Sequence, residues 1–180
     1  NSSNKIIYEV PIYQRNYAWE KEEITTLIQD TYDAYKSSLN KIGTPIYFIG
    51  TLVTFHKGDN VYEVIDGQQR LTTINLILHA LNVSVGNKLA YTARKKSNDT
   101  ILSIPRFDID DKDTGIVNGF KYAKNAIEEI VPDEKDLEKF KKFFQEKVHI
   151  IHYQVPKDID LNHYFEIMNS RGEQLEKHEI

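Results

Sequence analysis

The sequence predicts an α/β fold in a single domain that spans residues 1–180 and carries a helical insert at about 110–147. Runs rich in β-branched and aromatic residues alternate along the chain with segments whose apolar residues recur at helical spacing. The length of 180 residues, 40% of them hydrophobic, suffices for one core and is short for two. No internal repeat or low-complexity tract interrupts this order.

In the first half of the chain the predicted order of elements is β, α, β, β, α. The turn residues Lys57-Gly58-Asp59-Asn60 separate the second and third strands and predict a hairpin. The acidic residues that follow Glu20 favour the start of the first helix. The predicted elements are a strand at Ile6–Tyr13, a helix at Glu20–Lys36, strands at Ile46–His56 and Val61–Ile65, and a helix at Leu71–Asn82.

The second half is predicted to be mainly helical. Two amphipathic helices fill the insert, and Asp133, directly after Pro132, is placed to cap the second of them. The polar stretch Gly86–Asp99 is predicted to be a loop. The remaining predicted elements are short strands at Ile104–Ile109 and Val148–Val155 and a helix at Leu161–Met168, which Asn169-Ser170-Arg171-Gly172 ends.

The composition excludes several kinds of site. The absence of cysteine removes disulfide frameworks, thiolate zinc sites and cysteine nucleophiles, and the histidines lack the spacing of a metal site. The net charge of −4 argues against a broad surface that neutralises DNA phosphates. The short basic cluster Arg94-Lys95-Lys96 is interpreted as part of a solvated loop.

The sequence predicts a cytoplasmic protein without a membrane partner. No leader is visible, and no run approaches the roughly 18 apolar residues that a membrane helix requires. The chain lacks an initiating Met and stops at Ile180, just after a stretch that favours helix. We therefore expect further domains in the whole protein.

The junction of Asp66, Gly67, Gln68, Gln69 and Arg70 is predicted to be a strand-turn-helix that holds an anion. The first amides of a helix have no partner within it, and the helix dipole adds partial positive charge there. An arginine in the first turn opposes that dipole by about 0.3–1 kcal/mol unless an anion is bound. A capped helix explains the pattern equally well, with Asp66 as the cap, Gln69 reaching back and Arg70 paired with a structural carboxylate.

Two further segments offer candidate ligands. Aromatic and polar residues alternate from Tyr13 to Trp19, which would suit stacking of Tyr13, Tyr17 and Trp19 on a base while Arg15 reaches a phosphate. Packing in the core is the favoured interpretation of these aromatics. Asn169 and Arg171 lie at a predicted helix end, where a capping role needs no ligand.

Four motifs, taken in order, resemble the N-terminal domain of GmrSD-type restriction proteins. Together they span residues 11–175, nearly the whole chain. The motifs are Pro11-Ile12-Tyr13-Gln14-Arg15-Asn16-Tyr17-Ala18-Trp19, Tyr47-Phe48-Ile49-Gly50-Thr51-Leu52-Val53, Val64-Ile65-Asp66-Gly67-Gln68-Gln69-Arg70-Leu71-Thr72-Thr73 and Phe165-Glu166-Ile167-Met168-Asn169-Ser170-Arg171-Gly172-Glu173-Gln174-Leu175.

The resemblance implies a ParB/sulfiredoxin-like α/β fold with a small mixed sheet and flanking helices. It also implies a nucleoside triphosphate site at the Asp66–Arg70 turn and a role in bacterial defence against modified or foreign DNA. In the family a separate C-terminal domain of the HNH type usually cuts the DNA, and it would lie beyond Ile180. The chemistry of sulfiredoxin itself requires a cysteine and is excluded here.

From the turn and the resemblance together we predict a module that binds and hydrolyses a nucleoside triphosphate with Mg²⁺ as cofactor. The predicted phosphate ligands are Gly67, Arg70, Thr72, Arg15, Gln14, Asn169 and Arg171. The residues predicted to orient water or Mg²⁺ are Asp66, Gln68 and Gln69. Two alternatives stay open: a module that recognises modified DNA through Tyr13–Trp19 without hydrolysis, and a metal-dependent nuclease within this chain.

Overall fold

A five-stranded mixed sheet organises the chain in the computed structural model, which describes residues 5–43, 45–86, 88–158, 160–164 and 166–167. The strands lie side by side in the order β4-β1-β3-β2-β5. β2 and β3 form the predicted antiparallel hairpin, and the other three neighbouring pairs are parallel. The strands are β1 (Ile7–Glu9), β2 (Tyr47–Gly58), β3 (Val61–Asp66), β4 (Leu89–Ala90) and β5 (Val148–Gln154).

Five helices of eight or more residues in the described part of the chain pack against the sheet or against one another, and the α/β prediction is confirmed. The insert forms two helices, and the carboxylate of Asp133 caps the second by accepting a hydrogen bond from the Asp136 amide at 2.8 Å. The helices are α1 (Lys21–Ser38), α2 (Gln68–Ala80), α3 (Lys95–Leu102), α4 (Thr114–Ile130) and α5 (Glu134–Lys147).

Helix packing supplies the main core. α4 lies against both α1 and α2, so the insert is part of the hydrophobic interior. The side chains of this core that are wholly buried include Ile24, Ile28, Leu76, Ile77, Ile116 and Phe140. A second, smaller cluster joins Val53, Ile65 and Val155 to the partly buried Leu161 and Tyr164.

The region between α2 and α4 differs from the prediction. The strand predicted at Ile104–Ile109 is wrong, because the chain turns there and the amides of Arg106 and Phe107 both bond to the Ser103 carbonyl at 3.0 Å. The predicted polar loop instead contains β4 and α3. β4 is only two residues long and α3 is largely polar, so neither carries a strong apolar pattern.

The last predicted helix is described in part. Residues 161–164 and 166–167 are helical, while Met168 and Asn169 to Gly172 lie outside the described residues. No helix in the described part of the chain has the length and apolar character needed to cross a membrane.

Candidate functional site

Helix α2 begins without the side-chain cap that the alternative interpretation requires. Gly67 is the N-cap residue, no described side chain bonds to the free amides, and the first turn contains no acidic residue. Asp66 is exposed, and Gln69 turns toward another segment. The capped-helix interpretation is therefore wrong, and the amides of the first turn stay open.

Gly67 lets the helix start tightly against β2. Its φ of 93° lies in the left-handed region, and a Cβ at this position would stand 2.7 Å from the carbonyl oxygen of Thr51. Any other residue would therefore be strained and would also overlap the neighbouring strand. The turn is fixed by close backbone packing.

Arg70 lies over a second glycine. A Cβ at Gly50 would stand 2.1 Å from Nη1 of Arg70, so the guanidinium covers the backbone of β2 at this point. The guanidinium group is also near Trp19, with Cζ 5.9 Å from the ring centroid. Arg70 thus brings together the first three of the four motifs that resemble the GmrSD-type domain.

The positive charge of Arg70 is not neutralised by a neighbouring carboxylate. No Asp or Glu among the described residues forms an ion pair with it, and its Nε is buried without a hydrogen-bond partner. The structural carboxylate of the alternative interpretation is therefore absent from the described part of the chain. A half-buried cation without a partner is costly, and a bound anion would relieve that cost.

A groove of about 390 Å³ opens beside Arg70. Arg70 and the Trp19 ring form one side of the groove, and carboxylates from α1 form another. The groove therefore has a cationic side and an acidic side. One of these carboxylates, Glu23, already accepts a hydrogen bond from the Glu20 amide at 3.1 Å. The lining residues are Trp19, Glu22, Glu23, Thr26, Leu27, Asp30 and Arg70.

The predicted catalytic glutamines lie in the protein interior and hold a neighbouring backbone segment. Gln69 donates to the Asn16 carbonyl at 2.9 Å and accepts from the Ala18 amide at 2.8 Å, so both ends of its side chain are engaged. Gln68 donates to the Arg15 carbonyl at 3.0 Å, while its Oε1 is buried without a partner. Gln69 therefore acts as a positioning residue.

The same segment, Pro11–Trp19, is also anchored from the sheet and from α3. Gln14 donates to the Ile65 carbonyl at 2.7 Å. Arg94, at the start of α3, donates to the carbonyls of Ile12 and Gln14 and to the side chain of Asn16. The interpretation of Arg94 as part of a solvated loop is wrong, because its side chain holds the backbone of the segment in place. In the sequence, the only signal for this residue was its place in a short basic cluster.

The stacking candidates occupy three different environments. Tyr17 is a core residue with 4% exposure, and its hydroxyl pairs with that of Thr73 at 2.7 Å, so it does not face a ligand. Tyr13 is exposed and donates to Glu63 at 2.6 Å. Partial desolvation of the side chain, and then this hydrogen bond, raise the pKa of Tyr13. Only Trp19 lines the groove beside Arg70.

The remaining predicted ligands divide into those the structure places and those it does not describe. Arg15 is exposed, and no described residue pairs with its guanidinium. Thr72 is wholly buried and its hydroxyl pairs with that of Tyr91 at 2.5 Å, so Thr72 does not reach a bound phosphate in this conformation. Asn169 and Arg171 lie outside the described residues.

No cluster of three or more His, Cys, Asp or Glu that could hold a metal ion occurs in the described ranges. Any Mg²⁺ at this site would therefore depend mainly on phosphate oxygens and water, with one or two carboxylates from the protein. That is the usual coordination of this ion when it accompanies a nucleotide.

The fold and the site define an α/β domain in which helix α2 starts at a glycine without a side-chain cap. The family model described as GmrSD restriction endonuclease, N-terminal domain, matches residues 1–180, the whole chain. The chain therefore belongs to this family and has a role in a restriction system, with DNA and a nuclease domain as the partners that the family implies. A search of curated proteins found no match.

Proposed function

We propose that this domain binds a nucleoside triphosphate at the start of α2, and that the bound nucleotide regulates a nuclease domain of the restriction protein. The observation that carries the proposal is Arg70, a half-buried guanidinium with no paired carboxylate among the described residues. In the same helical turn, the amides of Gln68 and Gln69 receive no side-chain cap from a described residue. Phosphate oxygens accept from both kinds of donor.

The presence of two arginines, Arg70 and Arg15, favours a polyphosphate ligand over a single small anion. Arg15 is exposed on the Pro11–Trp19 segment, and Gln68 and Gln69 hold its carbonyl and that of the next residue, Asn16. Arg171 and Asn169 are proposed to complete the phosphate contacts. The groove beside Trp19 is of the size that small ligands occupy, about 300–1,000 Å³.

Mg²⁺ would enter with the nucleotide. It neutralises phosphate charge and orients the phosphates for transfer. Asp66 is exposed next to Gly67 and can supply a carboxylate to its coordination shell. Glu22 and Asp30, on the acidic side of the groove, offer the same chemistry, whereas they would repel a nucleotide that arrives without the metal.

Hydrolysis is proposed to use Gln68. Its Oε1 is buried and accepts no hydrogen bond from a described residue, while its Nε2 is fixed on the Arg15 carbonyl. Because Gln68 is buried, this role requires that nucleotide binding opens the interior around Oε1, which can then hold a water molecule in line with a phosphorus atom. Gln69 has no such free atom and keeps its positioning role.

Calorimetric titration with ATP, GTP, CTP and UTP in the presence of Mg²⁺ tests the binding step. We expect saturable binding of at least one nucleotide and a loss of about tenfold or more in affinity for Arg70→Ala. Arg106→Ala, which removes one exposed positive charge elsewhere, is the matched control and should bind as the wild type does. Failure of the wild type to bind, or equal binding by Arg70→Ala, contradicts the proposal.

Phosphate release by the full-length protein tests the hydrolysis step separately. Gln68→Glu keeps the shape of the side chain but loses the donor to the Arg15 carbonyl, and Gln68→Leu loses both polar atoms. We expect both to lower the turnover number more than the affinity, because the affinity rests on Arg70. Unchanged turnover in both variants would show that another residue orients the attacking water.

A further inference from the structure

A second pocket, of about 250 Å³, lies at the opposite end of α2 from Gly67. Asn75 and His79 line it from the helix, 7 and 11 residues after Gln68. At a rise of about 1.5 Å per residue, these positions are roughly 10 and 16 Å along the helix axis from Gln68. The pocket is thus separate from the groove beside Arg70.

The described lining of this pocket is uncharged. Its polar groups are the Asn75 amide, the His79 ring and Ser84, and the rest of the wall is mainly aliphatic. A phosphate or carboxylate would find no cation there and would lose its hydration without replacement. The aliphatic part of the wall is made by Val83, Val85, Leu89, Ile101, Leu102 and Ile104.

Asn75 carries hydrogen-bonding capacity that the described residues do not use. The residue is 7% exposed, its Oδ1 is buried without a partner, and no described residue bonds to its amide nitrogen. An unmet buried acceptor of this kind costs stability. A carboxamide that offers both an acceptor and donors can instead satisfy a ligand that presents the complementary pair.

His79 adds a second polar group of the same uncharged kind. Burial lowers its pKa below the ordinary value, so the ring is neutral at pH 7. A neutral imidazole carries one donor and one acceptor. The polar part of the pocket therefore fits a neutral ligand with both donors and acceptors on its edge.

We propose that this pocket binds a purine base that carries an exocyclic amino group, in the form of adenine or adenosine. A carboxamide pairs with the amino group and N7 of adenine through two hydrogen bonds. The aliphatic walls suit the faces of the ring, and the volume accommodates one heterocycle. The absence of a cation in the described lining favours the base or nucleoside over a nucleotide or a DNA strand.

Titration of the 180-residue chain with adenosine, followed by ligand-detected NMR or calorimetry, tests this proposal. We expect saturable binding of adenosine by the wild-type chain. The affinity should fall about tenfold or more in Asn75→Leu. It should fall similarly when the wild-type chain is given purine riboside, which lacks the amino group, instead of adenosine. Leu102→Trp, at an exposed position on the pocket wall, should block entry without touching the amide. Arg70→Ala is the matched control and should keep full adenosine binding.

The outcomes separate this site from the proposed triphosphate site. If Asn75→Leu fails to fold by circular dichroism, the Leu102→Trp variant decides alone. Absence of saturation by a folded wild-type chain up to about 1 mM adenosine overturns the proposal. Binding of adenosine by the Asn75→Leu and Leu102→Trp variants with the affinity of the wild type overturns it as well. Adenosine binding that disappears in Arg70→Ala would place the base in the groove beside Trp19 and would also overturn it.

Discussion

Helices α2 and α5 begin in opposite ways. α5 starts with Asp133, whose carboxylate caps the helix, and Glu134 and Asp136 add negative charge to its first turn. α2 starts with Gly67, has no side-chain cap, and carries Arg70 where α5 carries acids. The α5 start is satisfied by its own residues. Among the described residues, the α2 start has amides without a side-chain cap and a cation without an ion pair, as expected of a site that an anion completes.

The largest effect is expected at Gly67. Gly67→Ala should lower the free energy of unfolding by roughly 2–5 kcal/mol, because the left-handed backbone and the overlap with the Thr51 carbonyl both add strain. Gly86→Ala is the matched control: Gly86 is also left-handed, at φ 65°, but a Cβ there meets no atom within 4 Å. Its cost should be about 1 kcal/mol. If urea unfolding shows that both substitutions lower the free energy of unfolding equally, close packing at Gly67 does not matter.

Arg94 should matter to nucleotide binding although it is outside the groove. Arg94→Leu releases the backbone of Ile12 and Gln14 and the side chain of Asn16, and we expect about a tenfold loss of affinity with the fold retained. The neighbouring Lys95→Ala, which removes an exposed charge paired with Asp99, should leave affinity unchanged. Similar losses in both variants would point to net charge instead of positioning.

At the α5 start, loss of the cap should affect stability alone. Asp133→Ala is expected to cost about 1 kcal/mol, since the Asp136 amide loses its acceptor. Nucleotide affinity should not change, because α5 contributes no residue to the groove beside Arg70. A loss of affinity that exceeds the loss of folded protein would contradict the distinction between the two helices.

Acid should weaken the contact between α5 and α1 through Asp136. The hydrogen bond from Tyr32, then that from Tyr35, and the nearby Lys36 hold the pKa of Asp136 below its ordinary value of 3.8. The carboxylate therefore contributes stability that is present above pH 3.8 and is lost as the pH falls through the lowered pKa. We expect an effect of up to about 1 kcal/mol, absent in Asp136→Asn, by urea unfolding from pH 6 to pH 2.5.

Much of the fold was predictable because its signals are local. The hairpin, α1, α2 and the two helices of the insert follow from apolar spacing and turn residues, whereas β4 is too short and α3 too polar to give such a pattern. At the site, Gly67 and Arg70 were identified from one short stretch. The side-chain hydrogen bonds that hold Pro11–Trp19 could not be predicted from the sequence, because they join residues 51–82 positions apart that only the folded chain brings together.

Urea unfolding of the wild type and of Arg70→Met, with and without the nucleotide that binds most tightly, tests the central claim most directly. Met keeps the packing over Gly50 and Trp19 but removes the unpaired charge, and Trp19, the single tryptophan, reports unfolding. Without nucleotide the variant should equal the wild type or exceed it by up to about 1 kcal/mol. At 100 times the dissociation constant of the wild type, the wild type should gain about 2.7 kcal/mol and the variant at most about 1.4 kcal/mol. A variant that is less stable without nucleotide, or that gains as much with it, would contradict an anion site at Arg70.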